Sequence, residues 1–211
     1  PQSPIPIYDL HFIYLYYNYL IFIILYKMSK TVLELLNHRR TIRNYDPDYQ
    51  IPKEQLDEIL HAAQISPTSK DLQEVDFIVL RNKDKLNEIE KVILNDLPEG
   101  GRKNFEERRK IYGVKNVVTC DAPVIILLIR NERKEKFVDV DGGIAAMSIM
   151  MAAQHFNIES MCLGVITRFP KVEEILGLKK DSLILGVALG KMKGSPVLKE
   201  KTIKSKISYM D

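Results

Sequence analysis

Arg39-Arg40-Thr41-Ile42-Arg43 puts three guanidinium groups and a hydroxyl where an amphipathic helix runs out into a loop. Further along, Ser66-Pro67-Thr68-Ser69-Lys70-Asp71-Leu72-Gln73 is a second polar loop, at the end of a second helix. Guanidinium forks match planar, multi-acceptor anions bidentately, and a hydroxyl-rich turn adds neutral donors. Together the two segments describe a pocket for a phosphorylated ring compound. Each alone also fits a plainer role, the first as cations complementing a helix dipole and the second as a Ser/Pro/Thr helix stop. At the other end, six lysines fall between Lys191 and Lys206, which fits either an anion-binding arm or a nonspecific basic tail. No aromatics interleave them and no RNA-binding motif is present, so nucleic acid is not an expected partner.

These groups need elements to position them. Thr31-x-x-Glu34 reads as a capping box, followed at helical spacing by Val32, Leu35 and Leu36, a helix that delivers the arginines to its C-terminal end. Asp46-Pro47-Asp48 makes a turn, Pro52 suits a first helical position, and Leu56, Ile59, Leu60 and Ala63 form the stripe of a second helix stopping near Ser66-Pro67. Residues 77–80 read as a short buried strand, and Leu86, Ile89 and Ile93 mark a third helix. Residues 95–117 are charged and weakly periodic, a mobile lid or surface helix around Phe105. Residues 124–129 are continuously apolar, as in a strand covered on both faces. The run 141–153 is apolar around nearly its whole circumference, which points to burial at a subunit interface. Residues 161–166 and 182–188 read as two more strands, separated by a short helix at 171–176. The alternation gives an α+β layered fold.

Composition narrows the class. The 211 residues, 45% hydrophobic and 28% charged, are globular in type and long enough for a sizeable core. A formal net charge of +3 is too mild to demand a polyanionic partner. Cys120 and Cys162 are too few for a disulfide scaffold and are expected as reduced thiols in a cytoplasmic setting; nothing near Cys162 marks it as a reactive nucleophile. The four histidines are scattered, and no metal site is expected. Residues 1–27 differ from the rest, with an uncharged aromatic and aliphatic run from Phe12 to Tyr26. They read either as an upstream extension absent from the working protein, which would begin at Met28, or as a membrane or partner anchor. The division is therefore an extension at 1–27 and a globular domain at 28–211.

The order of the pieces resembles the nitroreductase family of FMN-dependent oxidoreductases. An Arg-Arg-Ser-Ile-Arg-like run closes the first helix of that family, and a Ser-Pro-Ser-Ser-x-Asn-x-Gln-Pro-Trp-like loop follows the second. The likeness continues through Cys120-Asp121-Ala122-Pro123, Gly142-Gly143-Ile144-Ala145-Ala146, Ser160-Met161-Cys162-Leu163-Gly164 and Leu189-Gly190-Lys191, spanning residues 30–206. It implies a mostly antiparallel central sheet flanked by helices, in an intertwined homodimer with FMN at the interface.

It further implies that Arg39, Arg40, Thr41 and Arg43 contact FMN at the phosphate and the pyrimidine edge, where a fixed cation stabilises charge developing on the ring. Ser66, Pro67, Thr68, Ser69, Asp71 and Gln73 would reach the same flavin from the other subunit. Asp71 stands where Asn is usual and Glu74-Val75 where Pro-Trp is, so a group that both donates and accepts is replaced by one that, ionised, only accepts. Main-chain groups of Cys162, Leu163 and Gly164 would approach flavin N5, and Lys199 and Lys201 the phosphate. The implied activity is reduction of nitroaromatic or quinone-type acceptors by NADH or NADPH. No Gly-x-Gly-x-x-Gly fingerprint provides a second nicotinamide site, so donor and acceptor would use one pocket in turn, by a ping-pong scheme. The same resemblance admits a flavin reductase, an NADH oxidase or a reductive dehalogenase. The atypical loop and residues 1–27 leave room for a non-catalytic flavin-binding or membrane-tethered protein.

Overall fold

The computed structural model describes residues 14–19, 31–131, 136–195, 198 and 200–210. It divides into two compact units, one ending at His38 and one beginning at Arg39. In the first, residues 14–19 form a short helix (α1) and Val32–His38 a second (α2). The predicted capping box opens α2. The Thr31 N–H donates to Glu34 Oε2 at 2.7 Å, and the Glu34 N–H returns to Thr31 Oγ1 at 3.2 Å. Residues 1–13 and 20–30, which carry most of the candidate anchor, lie outside the described residues. Among the described residues no helix is long and apolar enough to cross a membrane.

The second unit runs α3 (Lys53–Gln64), β1 (Val75–Leu80), α4 (Lys83–Asp96), α5 (Glu99–Tyr112), β2 (Val124–Arg130), α6 (Val138–His155), β3 (Glu159–Cys162), α7 (Pro170–Leu176) and β4 (Leu183–Gly190). Four strands form one sheet in the order β1-β2-β4-β3, every neighbouring pair antiparallel. This is the expected α+β class with an antiparallel centre.

The sheet is the middle of three layers. Strand side chains alternate between faces, so Ile125, Leu127 and Ile129 of β2 join the core under α4, with Leu86, Ile89 and Ile93. Val124, Ile126 and Leu128 join the core under α3 and α6, with Leu56, Ile59, Ala145 and Ile149. That is why β2 reads as unbroken hydrophobicity.

Three expectations change. The first strand is longer than 77–80 and only half buried, because β1 is a sheet edge with Ile78 40% exposed. The strand expected at 161–166 ends at Cys162, and Gly164–Arg168 turns into a 3-10 helix. Pro52 is the N-cap of α3 instead of its first helical residue. The weakly periodic region around Phe105 is the surface helix α5, with no fully buried residue.

Gly190 closes β4 where the chain passes Pro123 and Tyr45. A Cβ there would lie 2.7 Å from Pro123 Cδ and 3.0 Å from Tyr45 Cδ1, and both rings are rigid. Gly190→Ala should therefore cost about 1 to 3 kcal/mol by overpacking. A thermal melt should show the midpoint several degrees lower, and an unchanged melt would refute the close approach.

Candidate functional site

The segment after α2 lies along the β3 edge of the sheet. Thr41 forms a parallel bridge with Ser160, and the Ile42 N–H donates to Ser160 O at 3.3 Å. Ile42 is buried while Thr41 and Arg43 stay exposed, so burying one apolar residue turns its polar neighbours outward. Tyr45 anchors the far end, fully buried, its N–H donating to Cys120 O at 2.9 Å. The Cys120-Asp121-Ala122-Pro123 motif thus supports the arginine segment. Its own shape is held by the Asp121 carboxylate, which accepts from the Lys115 N–H at 2.9 Å and the Asn116 N–H at 2.7 Å.

Arg43 and the turn Cys162-Leu163-Gly164 line one cavity of about 160 Å³ with Phe105, Arg108 and Tyr112 of α5. Leu163 is buried and donates its N–H to Gly186 O at 2.7 Å, so that donor is committed to the sheet. Gly164 follows at the mouth of the 3-10 turn, exposed, with open space where a Cβ would stand. As the first residue of the 3-10 turn, Gly164 stands where backbone N–H groups lack an intrahelical acceptor. Burial pushes the Cys162 thiol up, against a smaller opposing pull from Arg39, so it stays protonated and weakly nucleophilic near neutral pH. Cys120, more deeply buried, is pushed up to about 12. Both cysteines are free.

Lys201 lies within electrostatic reach of Arg39 and Arg40. Its ammonium is held below the usual lysine range by partial loss of hydration and then by the charges of Arg40 and Arg39. Arg40 Nη1 in turn donates to Arg39 O at 3.0 Å. Three cations within mutual electrostatic reach form a seat for a multiply charged anion such as a phosphate monoester. That donor set, with Gly164 facing open space in the neighbouring cavity-lining turn, fits a phosphorylated flavin such as FMN. Lys199 lies outside the described residues.

The second polar loop is elsewhere. Ser66, Thr68 and Gln73 line a cavity of about 450 Å³ between α3, β1 and the start of α6, and it has no lining residue in common with the first. Ser66 Oγ donates to Ala62 O at 3.0 Å and meets Ser148 Oγ at 2.7 Å, and the Ser69 N–H meets the Asp141 carboxylate at 3.1 and 3.2 Å. These contacts hold a strained backbone: Lys70, Asp71 and Gln73 have φ of 53°, 54° and 48°, each costing about 1 to 2 kcal/mol for a residue with a Cβ. Such strain persists where the surroundings enforce it and clusters at ligand clamps. Asp71 is exposed, accepting from Gln73 Nε2 at 3.4 Å, and Pro67 is exposed.

One group therefore sits at the β3 edge and the other leads into β1 at the opposite edge. Three inter-strand spacings, about 14 Å, separate those edges. Two positioning residues were not singled out in the sequence, Asp141 and Ser148. An aspartate in the first turn of a helix was visible; that it fastens a loop from another element was not. Among the described residues no cluster of His, Cys, Asp or Glu could hold a metal ion.

Comparison with known proteins agrees with the fold and the motif order. The Nitroreductase family profile matches residues 36–191. A protein of Methanothermobacter thermautotrophicus named "Putative NADH dehydrogenase/NAD(P)H nitroreductase" is 31% identical over 158 residues, covering 73% of this chain and 70% of that one. The "FMN reductase" of Bacillus subtilis is 23% identical over 197 residues, covering 87% of this chain and 76% of that one. The FMN-bound nitroreductase of Bacteroides fragilis superposes with a TM-score of 0.73 at 24% identity, covering 87% of this chain and 100% of that one. The chain belongs to the nitroreductase family of FMN-dependent oxidoreductases.

Proposed function

We propose that the protein is a homodimeric, FMN-dependent reductase of nitroaromatic or quinone-type acceptors, with NADH or NADPH as donor and residues 28–211 as its catalytic domain. The observation that carries the reading is that Arg43 and the Cys162-Leu163-Gly164 turn line one cavity, while the charge of Arg39 reaches both Cys162 in that turn and Lys201. Arg39, Arg40 and Lys201 hold the phosphate, with Lys199 following the same strand of sequence. Thr41 and Arg43 face the ring, Arg43 opposing charge at its pyrimidine edge. The Gly164 N–H points to N5, with Cys162 and Leu163 shaping the wall behind it. Bound there, FMN supplies the redox chemistry, accepting two electrons from the nicotinamide and passing them to the acceptor.

The dimer follows from the separation of the half-sites. Ser66, Pro67, Thr68, Ser69, Asp71 and Gln73 cannot close over Arg43 of their own chain from the far edge of the sheet, but a two-fold axis would bring them over Arg43 of a second copy, twice. Two apolar surfaces support this. On α6, Val140 is 58% exposed and Ile144 36%, with Gly143 beside them, although the other side of the helix is core. Residues 200–210 form no regular secondary structure, and their Ile203, 86% exposed, and Ile207, 80% exposed, are apolar side chains that association would cover.

Three outcomes test the reading. FMN affinity should fall as pH rises from neutral through the lowered Lys201 ionisation, because charge is lost from the lysine while the phosphate is already doubly charged above about pH 6. Lys201→Met should bind more weakly and lose that slope; titration by flavin fluorescence reads both, and a parallel slope in the variant would remove Lys201 from the phosphate. Ile144→Asp should leave each chain folded, since Ile144 lies outside its own core, yet convert dimer to monomer in sedimentation. A wild-type monomer that carries FMN would end the shared-site argument. Finally, initial rates with NADPH and a quinone varied together should give parallel reciprocal lines, and intersecting lines would mean that both substrates are bound at once.

A further inference from the structure

The α5 helix carries two adjacent arginines with opposite environments. Arg109 is structural. It donates to Glu90 Oε1 at 3.1 Å and Glu106 Oε2 at 2.9 Å, fixing α5 against α4. Arg108, one residue earlier and a quarter-turn or more around the helix, has no carboxylate partner among the described residues and lies 5.5 Å from the Phe105 ring centroid. Phe105, Arg108 and Tyr112 are spaced three and four residues apart, so one helix face presents all three. That face lines the cavity containing Arg43 and the Gly164 turn, and none of the residues lining this cavity is acidic. The wall opposite the Gly164 turn is thus two aromatic rings and a guanidinium, on a helix with no fully buried residue.

We propose that Arg108 is a specificity residue selecting acceptors that are both planar and anionic, its guanidinium pairing with an acceptor carboxylate while Phe105 and Tyr112 pack against the acceptor ring. This rests on the assignment of the Gly164 turn to the flavin. Arg43, on the sheet side of the cavity, is engaged by the cofactor, so Arg108 is the cation left for a second ligand. The planar guanidinium fork favours a bidentate pairing with a carboxylate over a diffuse attraction.

The test is binding to the oxidised, FMN-loaded protein, read as perturbation of the flavin absorbance. 4-Nitrobenzoate and 4-nitrobenzyl alcohol share the nitroaromatic ring and differ in charge. Wild-type protein should bind the carboxylate at least about tenfold more tightly. In Arg108→Met that ratio should collapse towards one, and Arg108→Lys, a point charge without the fork, should keep part of it. Equal binding of the two ligands by wild type, or a ratio that survives in Arg108→Met, would overturn the proposal. So would loss of FMN in Arg108→Met, which would place the guanidinium on the cofactor. An effect confined to the KM for NADPH would overturn it as well, by assigning Arg108 to a donor phosphate. Charge-selective binding without nitro reduction would sink the proposed activity and leave this inference standing; reduction of both compounds without charge preference would do the reverse.

Discussion

The burial of β2 on both faces is the constraint from which the rest of this molecule follows. A strand with Val124, Ile126 and Leu128 on one side and Ile125, Leu127 and Ile129 on the other is stable only between two helical layers. That forces β2 to the centre, with β1 on one flank and β4, then β3, on the other. Polar ligand-binding groups cannot occupy such a centre without large desolvation costs, so they are displaced to the sheet edges. Arg43 and the Gly164 turn end up beyond β3, and the Ser66 to Gln73 loop ahead of β1.

The edges are built differently, in keeping with their roles. At the β3 edge, backbone pairing does the positioning: Thr41 bridges Ser160, and the Leu163 N–H is bonded to Gly186 O. At the β1 edge, side chains do it, with Asp141 and Ser148 of α6 holding a loop whose backbone is strained at three positions. The same α6 leaves Val140 and Ile144, on the neighbouring face, exposed in the single chain. One helix thus both fastens the loop and presents an exposed apolar surface.

Electrostatics separates structural from ligand-binding cations in the same way. Arg109 is consumed by Glu90 and Glu106, and Lys53 by Asp57, so neither is available to a ligand. Arg39 and Arg40 press on Lys201 with like charge, a repulsion that a bound anion would relieve. Neutral thiols at Cys120 and Cys162 add no competing negative charge.

Much of this was legible in the residues alone. An unbroken apolar run marked β2 and period-3.6 hydrophobicity α3 and α4, the Thr31 and Glu34 pair marked the start of α2, and the ordered motifs marked the family, because each is a local pattern with a local cause. The edge position of β1 was not legible, since a sequence shows that a strand is apolar but not how many neighbours it has. The early end of β3 at Cys162 escaped for a related reason: apolar residues 163–166 suit a 3-10 turn packed under β4 as well as a strand. The roles of Asp141, Ser148 and Arg108 depend on contacts between segments far apart in the chain, and only tertiary structure creates those. Residue types fixed which chemistry was available. The sheet order, a property of long-range pairing that no local pattern encodes, decided that its two halves lie on opposite edges of one chain.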